Sequence, residues 1–152
     1  MSSSGRLFLV RHTEKETNGA DPDLSARGVE HAKQLELKTD TVIVSILRRA
    51  LNTYFLSKIQ CKTNLVLSTN ARERIEGAST RLATEDVDFI ESFELFVERV
   101  DRTVDLIRFH LQSGSVAIVS HEDFLHQLQK KLGVQDPQPM AMGEIRQLQI
   151  AT

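Results

Sequence analysis

Short apolar runs rich in β-branched residues alternate with amphipathic stretches along this chain, and that alternation restricts its fold more than any other feature. Leu7-Phe-Leu-Val10 is a continuous apolar run, suited to a strand buried on both faces. A helical stretch follows from about Gly28 to Leu37, then a β-branched run at Thr41-Val-Ile-Val44 and a helix from about Leu47 to Lys58. Asn64-Leu-Val-Leu67 reads as a third strand and Ser115-Val-Ala-Ile-Val119 as a fourth. Between them, Phe93, Phe96, Val97, Val100, Val104, Ile107 and Leu111 recur in steps of three and four, the apolar stripe of one long helix. Phe124 to Leu132 predicts a further helix, with Gly133 as its stop signal, and Ile145 to Ile150 a last strand. Strands alternating with helices imply right-handed βαβ units. The expected fold is α/β, a doubly wound, mainly parallel sheet with helices on both faces. The chain has no internal repeat or linker, so residues 1–152 are read as a single domain.

The charge balance excludes several partners. Nineteen basic against 21 acidic side chains leave a net charge of −2, with no overall pull toward nucleic acid or an anionic membrane. No apolar run approaches the roughly 20 residues of a membrane span. Met1-Ser-Ser-Ser-Gly5 lacks a basic leader region, and the single cysteine, Cys61, has no internal disulfide partner. The expectation is a cytoplasmic protein with no nucleic-acid or membrane partner.

Ligands of open α/β sheets bind beyond the carboxyl ends of the strands, so the residues that follow each strand are the candidates. Arg11, His12 and Thr13 follow the first; Ser45, Arg48 and Arg49 the second; Asn70-Ala-Arg-Glu-Arg74 the third; Ser120-His121-Glu-Asp123 the fourth. Two histidines, several arginines and a glutamate would gather on one edge. That set suits phosphoryl transfer. Guanidinium forks match phosphate oxygens, a neutral imidazole is a competent nucleophile, and a carboxyl group can protonate a leaving oxygen.

These residues carry a resemblance. Leu7-Phe-Leu-Val-Arg-His-Thr-Glu14 resembles the opening signature of the histidine phosphatase superfamily, in its phosphoglycerate-mutase-like branch. Four further blocks agree in order: Asp23-Leu-Ser-Ala-Arg-Gly-Val-Glu-His-Ala32, Ser45-Ile-Leu-Arg-Arg-Ala-Leu-Asn-Thr53, Glu73-Arg-Ile-Glu-Gly77 and Val116-Ala-Ile-Val-Ser-His121. The resemblance implies that His12 attacks phosphorus and becomes a phosphohistidine. It implies that Arg11, Arg49 and His121 bind the phosphoryl oxygens, that Glu73 is the proton donor, and that Asn18 contacts the phosphate. It implies no metal or organic cofactor. Two positions depart from the pattern. Thr13 replaces the commoner glycine, and Glu122-Asp123 follow His121 where relatives carry small residues. Two carboxylates there would repel a phosphate dianion, or favour a substrate bearing a positive group.

Other polar residues take plainer readings. Arg48 is a solvated neighbour of Arg49, and Arg72, Arg74 and Lys15 are solvated loop residues that could line a pocket mouth. His31 and His110 fall on amphipathic stretches as surface or boundary residues. His121 and His126 lie five apart, which turns them roughly 140° from each other on a helix and excludes a zinc-protease pair. Cys61 reads as a buried or half-buried thiol near a helix end.

The expected activity is hydrolysis of a phosphomonoester, or of phosphohistidine, borne by a small molecule or a phosphoprotein. A catalytically silent phosphate-binding domain of the same fold is the alternative, and a phosphomutase a weaker one. Mutases of the family are longer and enclose their substrate, whereas this chain has only the Arg11–Leu24 loop and the segment 78–90 to cover a pocket.

Overall fold

The computed structural model describes residues 4–151. Five strands, β1 (Ser4–Arg11), β2 (Glu36–Ser45), β3 (Lys58–Ser68), β4 (Val116–Ser120) and β5 (Ile145–Ala151), form one sheet in the order β3-β2-β4-β1-β5. All neighbours are parallel except β1 and β5, which pair antiparallel. Helices α1 (Ala26–Ala32), α2 (Arg48–Leu56), α3 (Phe93–Leu111) and α4 (Glu122–Lys131) connect them.

Alternation along the central strands sends side chains to two cores. Leu7, Leu9, Ile43, Val116 and Ile118 pack with Phe96, Val100 and Ile107 of α3 and with Phe124, Leu125 and Leu128 of α4. Phe8, Val10, Val42, Val44, Ala117 and Val119 pack on the other face with Ala50 of α2, beside which α1 lies. Every residue of β4 is buried, which is why this strand reads as uninterrupted hydrophobic sequence. The sheet is doubly wound, as expected.

Element ends and burial depart from the sequence reading in several places. The helix expected to reach Leu37 stops at Ala32, and β2 begins at Glu36. Leu37 pairs with Ile59, so sheet pairing overrides the local helical spacing. Strand β3 runs over eleven residues where only Asn64–Leu67 were expected. It is an edge strand, and its polar first half is mostly exposed, so it carries no apolar signal. Cys61 accordingly lies half-buried in β3, not at a helix end, where its thiol donates to the Asn64 carbonyl (2.7 Å). On α3, Phe93 is 49% exposed, whereas Arg99 takes a buried place on the inner face. Gly133 does follow α4 in the left-handed region (φ 89°).

The register sets up what lies at the sheet edge. Arg11 pairs with Ser120, Val44 with Val119 and Ser45 with Ser68, so four parallel strands end nearly level. Two glycines hold the segment after β1. Gly28 of α1 lies so close to the Glu14 carbonyl that a Cβ would collide with it, and Thr13 Oγ1 donates to the Gly28 carbonyl (2.8 Å). Gly143, at φ 76°, donates its N–H to the carbonyls of Arg11 and His12 (3.0 and 3.1 Å).

Candidate active site

His12 and His121 follow adjacent paired strands, and their ring centroids lie 5.1 Å apart. Both are buried. His12 Nδ1 lies 2.7 Å from the Thr13 carbonyl oxygen, which can only accept, so Nδ1 carries the ring proton. Nε2 is then a bare lone pair, and it accepts from Arg49 Nε at 3.3 Å. Burial, and next the charges of Arg49 and Arg11, push the His12 pKa down to about 3. The imidazole is neutral at pH 7.

His121 is set in the complementary way. Ser45 Oγ, which accepts from the Leu47 N–H (3.3 Å), lies 2.8 Å from His121 Nε2. When the hydroxyl donates to Nε2, the proton of the neutral ring sits on Nδ1, which is buried without a hydrogen-bond partner. Burial and the neighbouring cations and His12 ring hold this pKa well below 6.5.

Arg49, in the first turn of α2, is buried, and its Nη1 donates to the Ser79 carbonyl (2.7 Å). Arg11 Nη1 donates to the Met140 carbonyl (2.6 Å), Nη2 lies 3.4 Å from Glu122 Oε2, and Nε has no partner. Glu73 sits at the start of α4. Its Oε2 accepts from the Asp123 N–H (3.0 Å), and its Oε1 from the N–H groups of Phe124 (2.9 Å) and Arg74 (3.2 Å). The carboxyl group thus caps that helix in trans. Burial, and second the charge of Asp123, push the Glu73 pKa up to about 7 despite those three donors. Near neutral pH Glu73 is thus poised both to give a proton away and to take one back.

Arg11, His12, Arg49 and Glu73 line one pocket of about 210 Å³, together with Lys15, Glu76, Ser79, Thr80, Glu122, Asp123 and Met142. Of the sequence-predicted residues, His121 packs against His12 without itself lining the pocket, and Asn18 is not brought to it. A bridge between Lys15 and Leu24 and the Glu16 N–H to Asp23 carbonyl bond (2.8 Å) pinch the base of this loop. Asn18 lies exposed on the excursion beyond, next to Gly19 at φ 80°. Lys15 does line the pocket. Among the described residues no group of three or more potential metal ligands gathers.

Two buried arginines, Arg72, expected to be solvated, and Arg99, build the wall around Glu73. Arg72 forms a bidentate pair with Glu85 (2.9 and 2.8 Å) and donates to the Thr80 carbonyl (2.7 Å), fixing the start of the 78–90 segment. Arg99 pairs with Glu91 (2.7 Å) and donates to the carbonyls of Asn70, Arg72 and Glu73. Its place on the apolar stripe of α3 was the signal available: a charge at an inward position needs a partner.

Comparison with known proteins gives the family and the fold. The pattern of the histidine phosphatase superfamily (branch 1) matches residues 7–150. A putative α-ribazole-5'-P phosphatase from Escherichia coli K-12 superposes with a TM-score of 0.74 at 24% identity, over 94% of this chain and 89% of that one. A mycobacterial glucosyl-3-phosphoglycerate phosphatase gives 0.67 at 18% identity, over 97% and 91%. A phosphoglycerate mutase from Bacillus anthracis gives 0.74 at 18%, over 99% and 92%. No curated protein matches the sequence.

Proposed function

Because the chain belongs to the histidine phosphatase superfamily, branch 1, we propose that it hydrolyses a phosphomonoester through a covalent phosphohistidine on His12. The observation that carries this reading is the fixed tautomer of His12. With Nδ1–H held by the Thr13 carbonyl, the Nε2 lone pair stands in a pocket shared with two guanidinium groups and a protonated carboxyl group. Nε2 attacks phosphorus as the ester P–O bond breaks, and Glu73 gives its proton to the departing oxygen. As a carboxylate, Glu73 then takes a proton from the water that attacks the phosphohistidine, releasing inorganic phosphate and the free imidazole. Arg11, Arg49 and the Nδ1–H of His121 hold the phosphoryl oxygens and offset their growing charge. These donors supply positive charge without a metal. A phosphohistidine substrate would follow the same course, with an imidazole leaving nitrogen in place of the ester oxygen.

Hydrolysis is favoured over return transfer because little covers the pocket. Of residues 78–90 only Ser79 and Thr80 line it, and most of the remainder is exposed. Chain length does not separate the two activities, since the mutase from Bacillus anthracis is matched over 92% of its length. One observation favours a silent phosphate-binding domain: Glu122 occupies Arg11, an oxygen where a phosphate oxygen would bind. Phosphate release from a panel of monoesters, measured with EDTA present, decides between them. Turnover that disappears in His12→Ala is expected. Turnover equal in that variant, or abolished by EDTA, contradicts the proposal.

A further inference from the structure

The phosphate end of the pocket is cationic, but the side from which a leaving group departs is acidic. Glu73 accepts from the N–H of Asp123, so the ester oxygen it protonates leaves beside the first turn of α4. Glu122 and Asp123 stand there, and Glu76 lines the same pocket. The two acids of α4 also line a second cavity of about 210 Å³ with His126, Gln129 and Gln138. They are therefore the ridge common to both spaces, and no lysine or arginine lines the second one. Glu122 Oε2 lies 3.4 Å from Arg11. A phosphate dianion on Arg11 meets that carboxylate at close range, which is unfavourable unless the substrate brings a compensating cation. At the other end of the site His121 Nδ1, in a side chain 1% exposed, has no partner, and in the tautomer that protonates it this nitrogen would donate to an anion.

We propose that the substrate is a zwitterion, a phosphomonoester whose alcohol carries a cationic amine a short alkyl chain from the ester oxygen. Phosphate binds Arg11, Arg49 and His121, and the ammonium group lies over the ridge of Glu122 and Asp123. The inference rests on the phosphatase reading for its phosphate end. Acids in a first helical turn also favour the helix dipole. That role affects stability alone and leaves substrate choice untouched, so selectivity is the readout.

The test compares 3-aminopropyl phosphate with n-propyl phosphate, which differ in the cation. The wild-type kcat/KM for the amino ester is expected to exceed that for the propyl ester by about tenfold or more, worth 1.4 kcal/mol per factor of ten. Glu122→Gln should bring the two close together, by raising the propyl ester and lowering the amino ester. Equal wild-type values, or a variant that gains on both esters alike, overturn the proposal and leave Glu122 as a carboxylate that merely competes with phosphate. Calorimetric binding of both esters to His12→Ala needs no turnover. Selective binding of the amino ester, with hydrolysis of neither ester by wild type, retains this inference and removes the phosphatase reading. Wild-type hydrolysis of both without preference does the reverse, and neither wild-type turnover nor binding of either ester overturns both.

Discussion

A neutral nucleophile and a protonated acid must coexist for this chemistry, and at His12 and Glu73 burial produces both. Burial disfavours charge on each group, lowering the histidine to about 3 and raising the glutamate to about 7. The kcat/KM profile, corrected for substrate ionisation, should therefore be flat through mildly acidic pH and fall as pH rises past about 7, where Glu73 loses its proton. Asp123 contributes to that raised value, so Asp123→Asn should move the alkaline fall to lower pH. A profile that keeps rising above pH 8 would exclude Glu73 as the acid. Glu73→Gln should cost about 10²–10⁴-fold on alkyl phosphates, whose leaving groups need the proton, and far less on p-nitrophenyl phosphate. Equal losses on both would point to a structural role. At this scale the gathering of Arg11, His12, Arg49 and Glu73 at one edge, with His121 against His12, was legible because each follows a strand at a short offset. Asn18 shows where offset fails, since it lies exposed beyond the pinched base of its loop.

Between elements, the acid is held by a helix that never touches the substrate pocket. Arg99 of α3 donates to three carbonyls of the segment carrying Glu73, and Glu91 both pairs with Arg99 and accepts from the Ile75 N–H (3.1 Å). Removing one member of a buried pair costs about 3–5 kcal/mol. Arg99→Met should therefore lower the urea midpoint and lower kcat on alkyl phosphates more than on p-nitrophenyl phosphate. Arg99→Lys should restore part of the stability but little of the alkyl-ester rate, since a lysine cannot reach three carbonyls and a carboxylate together. Uniform loss on both substrates would make Arg99 a matter of stability only. Only half of this clamp was legible in the sequence: a charge at an inward position of the stripe signals that a partner exists, but its partners, Glu91 and the carbonyls of Asn70, Arg72 and Glu73, are set by the tertiary path of the chain. The boundaries of β2 and β3 were missed for a related reason: their pairing at Leu37 and Ile59 is tertiary, and local spacing there favours a helix.

Across the whole molecule the level ends of four parallel strands concentrate charge-suppressed groups in one place, and stability should record it. His12 and His121 stay neutral in the fold while the unfolded chain takes up protons below about pH 6.5, so stability falls as pH drops through that range. Glu73 acts oppositely. It stays protonated in the fold up to about 7 but ionises in the unfolded chain above 4.5, so its contribution is lost as pH rises between those values. Urea midpoints of Glu73→Gln relative to wild type should rise between pH 5 and 8, and a constant difference would mean that Glu73 is not buried as described. The architecture itself was legible, because continuous apolar runs such as Val116–Val119 admit few alternatives to a strand covered on both faces.

The central claim is that phosphorus passes through His12, and trapping it is the direct measurement. Wild-type protein is mixed with labelled p-nitrophenyl phosphate, whose leaving group needs no acid, quenched in base within milliseconds, and digested for mass spectrometry at alkaline pH, where phosphohistidine survives. Phosphate on the peptide containing His12, absent from His12→Ala and accumulating in Glu73→Gln, is the predicted result. Hydrolysis with no phosphate on that peptide, or with phosphate on another side chain, would contradict the account.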